Sequence, residues 1–458
     1  MYREDTIAAV ATPPGEGGVA IVRLSGPDAE RIAREIFLRS GAKNGALRSH
    51  VLHRGTLRDP ESGAILDDAL AVLMRRPKSY TGEDVVELHC HGGRLVTRRV
   101  LEAALARGAR QAEPGEFTQR AVLNGRIDLA QAEAVLDLTQ ARTETGMRLA
   151  LEQMHGGLSQ WVGALREELL DILAEIEAAI DFSEEEIDHL PKQALITKID
   201  ALKNRIAAIV ATYEWGRLFR EGARVCIAGR PNVGKSSLLN ALLGAERVIV
   251  TPLPGTTRDV IEESVNLGGL PVALWDTAGI RETDNPIEQA GIDFTRKHLE
   301  AADAALVVID GAESHTLEDE ALMKAVRGKK GLLVVNKSDL TERIDRSWLA
   351  EAAPDKAIVS VSAKSGAGID ELKQALRELL IAAPAEPEIV LTNVRHKAAL
   401  ERSIGGLSAA VTSLDHRVAA ELVALELSEA KRGLEEVVGT VDNEDILEHI
   451  FTKFCIGK

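Results

Sequence analysis

Aromatic residues are scarce, with Phe, Trp and Tyr together making up 3% of 458 residues. Hydrophobic residues still reach 45%, so any core must be built from aliphatic side chains. Cysteine is scarcer. Cys90, Cys226 and Cys455 are scattered and odd in number, which excludes a disulfide framework and suits a reducing, cytoplasmic setting. Positive charge is in deficit: 55 Lys plus Arg stand against 71 Asp plus Glu, a net charge of −16. That balance argues against a chain-wide basic surface for nucleic acid, so any RNA would be held largely by a partner or a local patch. No apolar run approaches the ~20 residues of a membrane span, and Tyr2-Arg3-Glu4-Asp5 is too polar for a secretory leader. The length implies two or three domains.

What is present centres on residues 229–236, Gly-Arg-Pro-Asn-Val-Gly-Lys-Ser. An apolar strand-like run precedes it at 224–228, and a helix-like run follows at 237–243. Strand, glycine loop, lysine, hydroxyl and helix form a phosphate-binding P-loop. Gly229 and Gly234 let the backbone approach a polyphosphate, towards which the helix N-terminus and successive N–H groups point. Lys235 adds charge at the β/γ-phosphates, Ser236 offers a hydroxyl to Mg²⁺, and Asn232, Val233 and Ser237 complete the nucleotide-contacting run. Asn336-Lys337-Ser338-Asp339, after the strand 331–335, selects the base. The Asp339 carboxylate accepts two hydrogen bonds, as guanine N1–H and N2–H₂ offer and adenine does not. Asp276-Thr277-Ala278-Gly279 ends the strand 271–275 and can hold Mg²⁺ through water, Ser362-Ala363-Lys364 closes over the base, and Thr256-Thr257 sits where a switch threonine reaches Mg²⁺. The ligand is therefore GTP with Mg²⁺. Over roughly 222–383 the chain resembles the translation-factor-related GTPases.

Residues 5–110 mix strands at 19–24, 64–74 and 85–89 with helices at 28–38 and 94–107, an α+β pattern. His89-Cys90-His91 suggests a metal, but neighbours on a strand point to opposite faces and no second ligand pair follows. From 129 to 180 the sequence is free of proline and helical, with a break at Gly156-Gly157; helical patterning continues over 192–218. After a linker at 382–387 it resumes at 395–414, 418–434 and 442–454. Helical sequence on both sides of the GTPase segment implies one helical domain with the GTPase inserted. The ending Cys455-Ile456-Gly457-Lys458 is a poor prenylation box.

Taken together, Thr12-Pro13-Pro14-Gly15 through Arg23, Thr81-Gly82-Glu83-Asp84, His91-Gly92-Gly93, Pro114-Gly115-Glu116-Phe117, the P-loop and the Cys455–Lys458 end resemble, over the full length, the TrmE (MnmE) family of tRNA modification GTPases. The resemblance implies a multidomain α/β and α fold. It comprises an α+β, aminomethyltransferase-like folate-binding and dimerisation domain (1–122), a helical bundle in two parts (123–221 and 384–458) and an inserted Ras-like P-loop GTPase domain (222–383). It implies a homodimer and a heterotetramer with an FAD-binding MnmG (GidA) partner, the pair modifying C5 of the wobble uridine in certain tRNAs. It also implies that 5-formyltetrahydrofolate meets Arg23, Glu87, Lys458 and Arg126, the last a departure from the family's lysine, and that Cys455 serves the chemistry.

Ile280 stands where Ras-like enzymes orient water with glutamine, which a branched aliphatic cannot do. Arg281, Glu282, Asp284 and Glu288 are nearby substitutes, and the resemblance puts the catalytic role on Glu288. No motif identifies an arginine finger. The Asn232 carbonyl either shapes its own loop or holds a K⁺ ion with loop carbonyls from 251–256; the resemblance names Asn232, Thr251, Leu253 and Thr256 as K⁺ ligands. Two readings stay open on the GTPase motifs alone: a tRNA-modifying enzyme, and a ribosome-assembly switch of the Era or EngA type. A stand-alone folate-dependent transferase would leave the GTPase segment unexplained.

Overall fold

In a computed structural model of the chain, residues 4–41, 46–181, 192–244, 263–276, 299–381, 389–416, 418–439, 447 and 450–458 are described, with backbone only for Asp181, Glu263 and Asp276. They form two compact units, one of Met1–Leu136, Gln153–Leu170 and Lys431–Lys458, the other of Asp137–Glu152 and Asp171–Ala430.

The first unit is built on a seven-stranded sheet. Its strands are β1 (Ile7–Val10), β2 (Ala20–Ser25), β3 (Phe37–Arg39), β4 (Leu52–Arg58), β5 (Ile65–Met74), β6 (Val85–Cys90) and β7 (Arg110–Gln111), in the order β3-β4-β5-β6-β2-β1-β7. All pairs are antiparallel except β1 with β7. The pairing of β2 with β6 sets Arg23 directly opposite Glu87. Helices α1 (Ala29–Ile36) and α2 (Arg94–Ala106) cover the sheet, burying Ile32, Ile36, Val100 and Ala104 against Val22, Leu24, Val86 and Leu88. The helix expected over 28–38 stops two residues short. Phe37 turns extended at φ −119° and opens β3, because the edge of β4 offers Phe37–Arg39 a ladder partner. Helix α3 (Glu116–Leu123) follows a left-handed Gly115, and its Phe117 is fully buried with Ile7 and Ala9.

The helical stretch from 129 is α4 (Leu129–Gln140), α5 (Glu144–Met154) and α6 (Gly157–Asp181). The break at Gly156 falls where expected, with φ +86°. A second, unexpected break precedes α5, where Thr143 Oγ1 accepts from the Gly146 amide at 3.2 Å. The run expected over 192–218 is likewise two helices, α7 (Lys192–Val210) and α8 (Tyr213–Glu221).

The second unit contains a six-stranded sheet. Its strands are β8 (Ala223–Ala228), β9 (Glu263–Leu267), β10 (Leu270–Asp276), β11 (Ala304–Asp310), β12 (Gly331–Asn336) and β13 (Ala357–Ser360), in the order β13-β12-β11-β8-β10-β9. It is parallel except for β9. Strands β8, β11 and β12 are near-continuously apolar, as a sheet covered on both faces requires. Helices α9 (Lys235–Leu243) and α12 (Ile369–Leu380) lie in one cluster with the sheet, burying Leu238, Leu242, Leu372 and Leu376. Residues of α10 (Leu317–Ala325) and α11 (Arg346–Ala352), including Met323 and Leu349, join the other face. Helices α13 (Val394–Asp415) and α14 (Ala420–Val438) follow, and α13 packs on α7. The chain enters and leaves the GTPase segment at neighbouring points: the Leu391 amide donates to Thr212 Oγ1 at 3.0 Å, and a Cβ on Gly216 would stand 2.3 Å from the Leu391 carbonyl.

Candidate guanine-nucleotide and N-terminal sites

The carboxyl edge of β8 and β12 carries the first site. Gly234 opens α9 at φ +96°, and a Cβ there would meet Asn336 Nδ2 at 2.3 Å. A Cβ on Gly229 would stand 2.6 Å from the Val308 carbonyl, so both loop glycines are demanded by close approach as well as by phosphate geometry. Lys235 is buried, and its Nζ donates to the carbonyls of Gly229 and Arg230 at 2.8 and 2.9 Å. Asn336 joins three motifs at once. Its Nδ2 donates to the Val233 carbonyl at 2.8 Å, and its Oδ1 accepts from the Ala363 amide at 3.0 Å. Ser362 donates to Asp339 Oδ1 at 2.7 Å, which together with nearby Lys364 and Lys337 holds the exposed Asp339 carboxyl below the usual range. Lys337, at φ +66°, reaches Asp310 Oδ2 at 2.6 Å. Asn232 is exposed and left-handed at φ +63°. Ser236 and Ser237 stand on the first turn of α9.

A second cluster lies in the first unit. Arg23 Nε donates to Glu87 Oε1 at 2.9 Å, and Arg23 Nη1 to the Gly457 carbonyl at 3.4 Å. The guanidinium lies 5.7 Å from the Tyr80 ring centre and 5.5 Å from that of Phe117. A hydrogen bond from His89, together with Arg23, outweighs burial and holds the Glu87 carboxyl low. Burial pushes the Lys458 ammonium down, as does the charge of Arg23 nearby. The last residues are seated firmly. Ile456 bridges to Pro114, the Gly115 amide donates to the Cys455 carbonyl at 3.4 Å, and Gly457, at φ +100°, comes so close that a Cβ would stand 2.2 Å from the Val10 carbonyl. Phe451 and Phe454 pack with Leu129 and Ala132. Cys455 is exposed, whereas Cys90 and Cys226 are buried. Arg126 stands apart from the Arg23–Glu87 pair in its contacts: its Nε donates to the Ser79 carbonyl at 3.1 Å. In the same unit Arg120, 3% exposed, pairs with Asp5, Glu83 and Glu116 at 2.5–3.1 Å, and Arg110 pairs with Asp5 and Glu116.

Two family models match. The MnmE helical domain spans residues 129–455 and the GTP-binding protein TrmE N-terminus spans 6–126. The tRNA modification GTPase MnmE of Geobacter sulfurreducens is 47% identical over 465 residues, covering all of both chains. Its counterpart in Heliobacterium modesticaldum is 46% identical over 463 residues and 99% of each chain. The chain belongs to the MnmE (TrmE) family. Several residues expected to serve an MnmE-type GTPase lie outside the described residues: Thr251, Leu253, Thr256, Thr257, Thr277, Ala278, Gly279, Ile280, Arg281, Glu282, Asp284 and Glu288; Asp276 is described in its backbone alone.

Sequence reasoning quoted Thr81-Gly82-Glu83-Asp84 and Pro114-Gly115-Glu116-Phe117 as MnmE-family motifs without seeing that Arg120 ties their two glutamates together. It also missed the Tyr80 and Phe117 rings beside Arg23 and the role of Asn336 in bracing the P-loop. His89 turns to Glu87 and His91 to Asp67, at 3.3 and 2.8 Å. Among the described residues no helix is long and apolar enough to cross a membrane.

Proposed function

We propose that the chain is a GTP hydrolase that acts with an FAD-dependent MnmG (GidA)-type partner. Together they add a carboxymethylaminomethyl or aminomethyl group at C5 of the wobble uridine of certain tRNAs, in the cytoplasm. The chain works as a homodimer and, with the partner, as a heterotetramer, and the partner carries much of the tRNA binding, in keeping with the net charge of −16. Its parts are a folate-binding and dimerisation domain (1–122), a helical domain (123–221 and 384–458) and the GTPase domain (222–383). One observation carries the reading past GTP hydrolysis: the Gly457 carbonyl accepts from Arg23, which is itself paired with Glu87. A ribosome-assembly switch would leave that convergence without a use.

The residues present suit the groups this reading requires. Glu87 offers a carboxylate to the N–H pair of a pterin, Tyr80 and Phe117 offer ring surface, and Arg23, Arg126 and Lys458 offer cations to folate carboxylates. The folate supplies a one-carbon unit, and Cys455 is the exposed thiol on the same tail. At the GTPase site Ser236 and Thr257 would hold Mg²⁺, with Asp276 acting through water. Asn232 and loop carbonyls of Thr251, Leu253 and Thr256 would supply the all-oxygen set that K⁺ requires, and Glu288 would orient the attacking water. Titration of the full chain with 5-formyltetrahydrofolate tests the N-terminal half of the account. Saturable binding that is lost in Arg23→Ala is expected; no binding by the wild-type chain would overturn it.

A further inference from the structure

The connection between β11 and α10 grips both sides of the nucleotide site. Arg230, the second residue of the P-loop, donates from Nη2 to Glu313 Oε2 at 2.5 Å, and its Nε lies 3.4 Å from Asp319 Oδ2. The arginine side chain is 18% exposed and Asp319 1% exposed, while Glu313 is 59% exposed. Asp319 is itself fixed: its carboxylate accepts from the Thr316 amide and hydroxyl in the capping box that begins α10. The backbone of the same arginine faces the site, since its carbonyl accepts from Lys235 Nζ at 2.9 Å. Two residues on, Asn232 is left-handed at φ +63°, a conformation asparagine adopts more readily than other residues with a side chain. At its start the same connection holds the base-recognition loop, through Asp310 to Lys337 at 2.6 Å and the Gly311 amide to the Asn336 carbonyl at 2.8 Å.

A guanidinium already shared between two carboxylates is largely neutralised. It is poorly suited to supply the uncompensated positive charge that phosphoryl transfer rewards. It is well suited to fix the strand of backbone it leaves from. We propose that Arg230 is a positioning residue that pins the P-loop to Glu313 and Asp319 and so sets the shape of the loop for the phosphates. This rests on the guanine-nucleotide reading of the site and adds to it a cause of affinity that acts through backbone.

The test is a double-mutant cycle on the full chain, with GDP as the probe and its dissociation constant as the readout. Glu313 is exposed, so Glu313→Gln is expected to weaken GDP binding by about threefold; Arg230→Gln, which removes both pairs, by about tenfold or more. The two changes combined should cost no more than Arg230→Gln alone, because Glu313 acts only through the arginine. Arg230→Lys should recover part of the loss, since one ammonium cannot span both carboxylates as a fork does. The loss should appear in KM for GTP more than in kcat. Additive effects of the two changes, an unaltered affinity in Glu313→Gln, or a fall in kcat with GDP affinity intact in Arg230→Gln would overturn the proposal. If Arg230→Gln does not fold, the surface change Glu313→Gln decides by itself. Failure of the wild-type chain to bind GDP would instead reject the nucleotide reading on which the proposal rests.

Discussion

Asp339 shows how far a single residue could be read from sequence. Its spacing after an apolar strand predicts a guanine-selective carboxylate, and the structure adds what orients it and lowers its carboxyl further, the Ser362 hydroxyl at 2.7 Å. Asp339→Asn exchanges an acceptor for a partly donating group. It is expected to weaken GTP binding by about two orders of magnitude while favouring xanthosine triphosphate, checked by competition of the two nucleotides for the chain. Motifs of this kind are legible because their geometry is local. The Asn336–Val233 hydrogen bond, joining positions 103 apart, was not, and neither was the pairing of Arg230 with Glu313, 83 apart. Cysteine chemistry is also a matter of single residues. Burial, and then the charge of Asp67, pushes the Cys90 thiol up to about 11, Cys226 is buried, and Cys455 is exposed. A thiol reagent at neutral pH is expected to label Cys455 rapidly and the other two only after unfolding, with Cys455→Ser abolishing the rapid reaction.

At the scale of elements, periodicity located most helices and strands, and the errors have physical causes. The helix expected over 28–38 ends early because β4 captures Phe37–Arg39, and the break before α5 was hidden because a threonine cap leaves no glycine or proline behind. The ion network under α3 could not be read at all, since Arg120 gathers Asp5, Glu83 and Glu116 from three separate stretches. Removing the arginine takes a buried ion-pair partner from all three and leaves Asp5 and Glu116 to Arg110, so Arg120→Ala is expected to destabilise the N-terminal unit by about 3–5 kcal/mol, read as lost hydrogen-exchange protection in β1 and β2. The network also has a pH signature. Burial pushes the carboxyls of Asp5 and Glu116 up, but hydrogen bonds from Arg110 and Arg120 outweigh it and leave both below their ordinary 3.8 and 4.5. Groups lowered on folding stabilise fully above those ordinary values and lose their contribution as pH falls below them. The N-terminal unit should therefore hold its protection from pH 7 down to about pH 5 and lose it steeply below about pH 4, with a shallower fall in Arg120→Gln. Gly457→Ala tests the seat of the tail. Its Cβ would collide with the Val10 carbonyl, and the expected outcome is loss of tRNA modification with GTP hydrolysis retained.

For the whole molecule, helical sequence on both sides of residues 222–383 suggested an insertion. The contact of Leu391 with Thr212 provides the neighbouring ends such an insertion needs. The return of the last residues to Pro114 and Val10 carries no local pattern; only the resemblance, which set Lys458 with Arg23 and Glu87, implied it. If Asn232 and its neighbouring loop hold K⁺, hydrolysis should rise by orders of magnitude in K⁺ over Na⁺ at matched ionic strength, and Asn232→Ala should lose that gain while still binding GTP. The central claim is that this GTPase serves tRNA modification, and its most direct test is mass spectrometry of tRNA nucleosides from cells in which the chain has been deleted and then restored. The account predicts that the C5-modified wobble uridine disappears on deletion, returns with the wild-type chain, and stays absent with a chain lacking Cys455–Lys458. An unchanged nucleoside profile in the deletion would contradict it.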